Sequence, residues 1–247
     1  MAELYHENSK LPPVSASVQP EVLALPPLEF FLSSRGFRQY RTAPRIRLPE
    51  AVPSNETLSD VMGRRRCSRT LEMELSLDDV STLLHQSLGP TAVLDHPEVG
   101  VTQAFRAWPS AGALYPLDTY FIAQRVESII PGLFHYNLLT HEIERLPSRP
   151  AEAILRDGFF QDFVWKAALT ILLVAVFERT VAKYGARGYR LVLLDAGHAA
   201  QNVLLTAEQL GIGACPIGGF CDDNLTADIG LDGVAEAVVY AIALGRP

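Results

Sequence analysis

"ALTILLVAVF", residues 168 to 177, and "AKYGARGYR", residues 182 to 190, decide how the chain is read. The first stretch has the composition of a fully buried central strand, and such a strand ends where solvent or a ligand begins. Lys183 and Tyr184 stand just past that end, ahead of a helix-like segment. They belong either to plain surface or to a site built at the end of the strand.

The segments on either side supply the partners that such a strand needs. "LDTYFIAQRV" at 117–126 reads as a strand, "GLFHYNLLTHEIERL" at 132–146 as a hairpin or two short strands, and "AVVYAIALG" at 237–245 as a last strand. "SLDDVSTLLHQSLG" at 76–89 reads as a helix, started by Ser76 and Asp79 and stopped by Gly89, with Leu77, Val80, Leu84 and Leu88 on one face. A second, long helix covers "YRLVLLDAGHAAQNVLLTAEQLG" at 189–211, with Val192, Ala196, Ala199, Val203, Ala207 and Leu210 as its core stripe. This pattern predicts one α+β domain, a mixed sheet with helices packed around it.

The chain has 247 residues, 48% of them hydrophobic, enough for a sizeable core. Its net charge of −7 argues against a general nucleic-acid binder, although "RGFRQYRTAPRIR" and "GRRRCSR" are locally basic. Three cysteines, Cys67, Cys215 and Cys221, without paired C-x-x-C spacing, suggest neither a disulfide framework nor a zinc site, and no metal-ligand spacing occurs elsewhere. A reducing cytoplasm fits, and the apolar runs are too short to span a membrane. Residues 1–55 hold eight of the 17 prolines and read as an extended N-terminal arm, of the kind that wraps a partner subunit, ahead of a domain at 56–247.

Three further segments carry chemistry. "RRRCSRT" crowds Arg65, Arg66 and Arg69, which either grip a phosphate through charge-assisted hydrogen bonds or form a solvated basic face. "WPSAGALYP", residues 108–116, sets small residues between two prolines ahead of a strand, so that backbone amides can approach a flat ligand, or so that a plain loop forms. "GIGACPIGGF", residues 211–220, exposes the backbone of Gly218 and Gly219 after Pro216, and is not a dinucleotide fingerprint because it follows a helix. Asp195, His198, Gln201 and Asn202 interrupt the long apolar helix, where they either read a substrate or satisfy one another at a subunit interface, and the interface is the favoured expectation. Trp108, Trp165, Phe159, Phe160 and Phe163 read as core or lid.

Together these segments resemble the nitroreductase-like flavoprotein superfamily, and within it the SagB-type or McbC-like azoline dehydrogenases, over roughly residues 56 to 247. The resemblance implies a nitroreductase-like FMN-binding fold and a homodimer with the flavin at the interface. "RRCSR" is similar to the family segment that holds the FMN phosphate, which implies that role for Arg65, Arg66, Cys67 and Arg69, with Cys67 in the usual serine place. Pro109, Ser110, Ala111 and Gly112 resemble the loop lining the isoalloxazine, commonly supplied across the dimer. Pro216, Ile217, Gly218 and Gly219 resemble the turn whose backbone N–H, that of Gly218, faces the flavin N5, and Arg246 in "LGRP" resembles a further phosphate contact.

"KYGARGYR" and "DAGHAAQN" resemble the SagB branch in particular, and Lys183 and Tyr184 resemble its catalytic Lys-Tyr pair. The implied reaction oxidises thiazoline or oxazoline rings of a peptide natural product, ribosomal or nonribosomal, with molecular oxygen as the expected electron acceptor. The substrate is expected either tethered to a carrier protein or presented by a cyclodehydratase or synthetase. A lysine acts as a base only in its neutral form, which burial or nearby cations favour. Adjacent residues diverge on a helix or strand, so both reach one ring only where the backbone bends, as Gly185 and Gly188 permit. An NAD(P)H-dependent nitro- or quinone-reductase on the same fold, or a non-catalytic flavin-binding subunit of a biosynthetic complex, are the alternatives.

Overall fold

The structure, a computed structural model, describes His6 and residues 37–97 and 100–247. Strand β7 (Leu169–Val176) runs through its centre, because alternate side chains of the strand enter two different cores. Leu169, Ile171, Leu173 and Ala175 pack with the first core cluster, which includes Val80, Leu84, Val192 and Ala196. Leu172 and Val174 face the second, with Ile154, Leu155, Leu225 and Ile229. A strand with both faces covered has no polar side to show, hence its continuous apolar sequence.

The strands on either side extend the sheet. Its order is β1 (Arg45–Arg47), β6 (Glu142–Leu146), β5 (Gly132–Asn137), β4 (Leu117–Ala123), β7, β9 (Glu236–Gly245) and β8 (Gly213–Ile217). The α+β class expected from sequence holds. All six pairings in this sheet are antiparallel, so among the described residues parallel pairing is confined to the isolated Leu75–Val126 bridge. Short connections from β4 to β5 and from β5 to β6 dictate that direction, since a parallel pair needs a long crossover. A separate hairpin joins β2 (Pro90–His96) to β3 (Val101–Arg106).

Helices α1 (Leu58–Arg64) and α2 (Leu77–Leu88) each pack on α6 (Arg187–Gln209), and α2 and α6 build the first core. The second core takes α3 (Ala151–Gly158), α4 (Asp162–Trp165) and α7 (Asp222–Ile229). Ser76 and Asp79 form a capping box on α2, and Gly89 follows its last turn, as the sequence predicts. The predicted stripe of α6 is buried from Val192 to Ala207. No helix among the described residues is long and apolar enough to cross a membrane. Of the proline-rich stretch at 1–55, residues 37–55 lie against the domain, with β1 at the sheet edge and Leu48 in the core. His6 apart, residues 1–36 lie outside the described residues.

Between β7 and α6 lies α5 (Glu178–Tyr184), a seven-residue helix that ends at Gly185 with φ 53°. The two helices meet so closely that a Cβ on Gly188 would stand 2.8 Å from the Val181 Cα. Gly188→Ala is therefore expected to force α5 and α6 apart and to destabilise the fold by roughly 1–3 kcal/mol, read as a lower urea midpoint.

Candidate active site

Lys183 and Tyr184 are the last two residues of α5, and the turn at Gly185 follows directly. Their side chains converge despite being adjacent. A Cβ on Gly112 would meet Lys183 Nζ and Tyr184 Oη, each at 3.0 Å, and Nζ lies 5.3 Å from the centroid of the Tyr184 ring. A side chain at this position would displace both groups by a few tenths of an ångström. Gly112 also has φ 64°, in the left-handed region that glycine enters without steric cost.

The loop carrying Gly112 is tightly wound. Ala111–Ala113 form a 3₁₀ turn, the Tyr115 N–H donates to Ser110 Oγ at 2.9 Å, and Ala113 and Tyr115 have positive φ angles of 53° and 44°. Positive φ at residues that carry a Cβ costs of order 1–3 kcal/mol each, and such strain persists where the surroundings over-determine it. One of those surroundings is Asp195 of α6, which is 3% exposed and faces the Ser110 side chain and the Ala111 N–H. Burial pushes its carboxyl up to about 6, against the opposing pull of Ser110, His198, Ala111 and Arg106. Its Oδ2 has no hydrogen-bond partner. The expectation of an interface role for Asp195 is therefore corrected: it sits on the buried stripe of α6, three residues after Val192, and turns inward. His198 and Gln201 point outward.

Beneath the loop lies a cluster of charge that the sequence reading missed. Asp118, the second residue of β4, accepts two hydrogen bonds from Arg179 of α5, at 2.7 and 3.1 Å. Both side chains are nearly inaccessible. Burial alone would raise the Asp118 carboxyl, but Arg179 holds it below the usual range. Arg106, also buried, donates to the Leu117 carbonyl at 2.9 Å and lies over the rings of Trp108 and Tyr115. Burial draws its guanidinium down to about 10. A lone aspartate inside the buried run "LDTYFIA" was the available signal, because such a charge requires a partner.

The remaining expected residues gather elsewhere. Arg65 caps α1, with Nη1 3.9 Å from Cys67 Sγ, and Arg66 bonds the carbonyls of Gly63 and Arg65. Ser68 N–H donates to the Ala214 carbonyl at 3.0 Å, which brings this segment against β8. Pro216 and Ile217 are not in a loop but in β8 itself, an edge strand where proline is tolerated. Gly218 and Gly219 follow it, and Gln161 donates to the Gly219 carbonyl. Arg246 follows β9 at the opposite, Gly213 end of β8, the end where Ser68 meets Ala214, and donates to both oxygens of Asp79 at 3.0 Å.

This second group suits a planar ring with an anionic tail. Three guanidinium groups supply charge-assisted donors, and a Cβ on Gly218 would meet nothing, so its backbone is open to a ligand. A cleft of about 580 Å³ lies alongside, lined by Arg69, Phe160, Gln161 and Phe163. The donor set fits FMN.

The family model for the nitroreductase family matches residues 62–246. The chain belongs to that family. MJ1384 from Methanocaldococcus jannaschii, which carries a nitroreductase name, is 33% identical over 170 residues, covering 68% of this chain and 81% of that one. The microcin B17-processing protein McbC from Escherichia coli is 28% identical over 133 residues, spanning 51% of this chain and 49% of McbC. Among solved structures, the E. coli microcin synthetase McbBCD complex with truncated pro-MccB17 superposes with a TM-score of 0.62 at 20% identity, over 100% of this chain and 91% of that one. That likeness shows the shared nitroreductase fold.

The ionisation of Asp195 gives the site a pH signature. Its folded pKa, about 6, lies above the ordinary 3.8, so the stability it contributes is present below pH 3.8 and lost as pH rises through 6. Asp195→Asn is expected to remove this slope, raising stability at pH 7 relative to pH 4 by on the order of 2 kcal/mol, as measured by urea unfolding at the two pH values.

Proposed function

We propose that this nitroreductase-family protein is an FMN-dependent oxidase that converts thiazoline or oxazoline rings of a peptide natural product into the aromatic azoles. The observation that carries the reading is the meeting of Lys183 Nζ and Tyr184 Oη at one point against Gly112. A flavin that only relays hydride has no need of a base, whereas aromatising an azoline removes a proton from the carbon next to the one that loses hydride. McbC, a relative named for processing microcin B17, supports the substrate class.

Arg65, Arg66, Arg69 and Cys67 would hold the phosphate, with Arg246 once it exchanges Asp79 for it, and Pro216–Gly219 would line the ring. FMN supplies the hydride acceptor when bound. Lys183 Nζ removes the ring proton. Tyr184 Oη donates a hydrogen bond to the ring heteroatom or heads the path by which the proton leaves. The Asp118–Arg179 pair holds the start of α5, so that Nζ and Oη point at one substrate atom rather than diverge.

The site is read as shared between two copies. Gly112 precedes β4 and Gly218 follows β8, three strand spacings away, or roughly 14 Å across the sheet. The arginine segment lies farther still, at the end of β8 where Ser68 meets Ala214. Leu193 and Leu194 remain exposed on the outer face of α6, an apolar surface suited to a second copy. A homodimer that sets the loop of one protomer over the arginines and glycines of the other completes the site. The microcin synthetase complex makes a partner enzyme that presents the peptide a reasonable extension.

With FMN, air and an azoline peptide, the protein is expected to remove two hydrogens per ring, as followed by mass spectrometry. Lys183→Ala should lower that rate by roughly 10²–10⁴-fold while FMN absorbance is retained. Bleaching by NADPH with no change in any azoline peptide would favour the nitro- or quinone-reductase reading instead. Dilution to the monomer should release FMN, and a stable monomer saturated with FMN would refute the shared site.

A further inference from the structure

Two thiols lie at the arginine segment, Cys67 within it and Cys215 on the strand beside it, and neither takes part in the hydride or proton transfer. The Ser68–Ala214 hydrogen bond, and the 3.0 Å approach of a Gly213 Cβ position to the Ser68 side chain, hold residues 65–69 flush against β8. Cys67 and Cys215 are the chain neighbours of the bonded residues, and their thiols interact with each other. Both are free cysteines. Cys67 is exposed, with a guanidinium nitrogen of Arg65 3.9 Å from its sulfur, while Cys215 is buried and under the influence of Arg69. A disulfide needs a Cα separation of roughly 4.4–6.8 Å, of the order found between paired neighbouring backbones.

We propose that Cys67 and Cys215 are a redox modification site that closes reversibly to a disulfide, tying the arginine segment covalently to β8. The oxidant is a low-molecular-weight disulfide of the glutathione class. Cys67, the accessible thiol, attacks it as thiolate: one S–S bond breaks, a mixed disulfide forms on Cys67, and one glutathione leaves as thiol. The Cys215 thiolate then displaces the second glutathione. The two protein thiols give up two protons and two electrons, and one oxidised glutathione becomes two reduced molecules. Burial pushes the Cys215 thiol up, so Cys67 is the thiol that reacts first with the external disulfide.

A consequence rests on the flavin reading above. In that reading Cys67 lies in the phosphate-holding segment, where its S–H is a weak donor, and the disulfide removes that donor and occupies the same face. Bound FMN and closure of the disulfide therefore exclude each other.

The test incubates native, apo wild-type protein with oxidised glutathione, without denaturant, followed by intact mass and peptide mapping. The expected result is loss of two hydrogens with a Cys67–Cys215 linked peptide, reversed by dithiothreitol. Cys215→Ser should stop at a glutathione adduct on Cys67. A persistent adduct on Cys67 in wild type, a bond involving Cys221, or an unchanged mass would overturn the proposal. FMN at 100 times its Kd leaves about 1% of sites free, so closure should slow about 100-fold. Equal rates with FMN shown by absorbance to be bound would overturn the exclusion alone. If FMN fails to bind at all, the flavin reading fails while the mass map still decides the disulfide.

Discussion

Asp118 can stay ionised in the interior of the protein only because cations surround it. Arg179 holds both of its oxygens, Arg38 approaches at 3.4 Å, and Arg106 contributes from the same layer. Removing one partner of such a pair costs roughly 3–5 kcal/mol, because the other charge is left buried and alone. The constraint is also positional. Asp118 is the second residue of β4 and Arg179 the second of α5, so the fork between them sets where α5 begins relative to the loop that precedes β4.

One helical turn beyond Arg179 comes Lys183, followed by Tyr184, and the loop before β4 brings Gly112 against both. Asp195 reaches the same loop from α6, at the energetic cost of a buried carboxylate with an orphaned oxygen. Three elements distant in sequence thus converge on one corner of the sheet. The arginines and the glycine turn are assembled at the β8 edge, where the exposed Gly218 backbone and a cleft beside Arg69 face outward. This division within a single chain supports a site completed by a second one.

The strands and long helices were legible because their side chains are sorted by burial. β7, β4 and β9 are apolar on both faces, α6 repeats its small and branched residues at helical spacing, and α2 announces itself through Ser76 and Asp79. The hairpin of β2 and β3 gave no such signal, since β2 is almost wholly exposed and begins with a proline. β8 hid inside a glycine- and proline-rich stretch that an edge strand can hold but that composition assigns to a loop. α5 is seven residues long, starts without a capping side chain, and follows an apolar strand that masks its first turn.

The amino-acid order alone determined the α+β class, the central position of 169–176, and which ionisable and small residues were available to the candidate site, because each depends on local pattern or side-chain chemistry. It did not determine that Lys183 and Tyr184 meet rather than diverge, that Asp195 turns inward, that Arg246 is held by Asp79, or that the segment of Cys67 lies against the strand of Cys215. Those depend on how elements far apart in the chain pack together. Distances across a fold are set by the joint requirement to bury apolar faces and pair buried charges, which no local window of sequence contains.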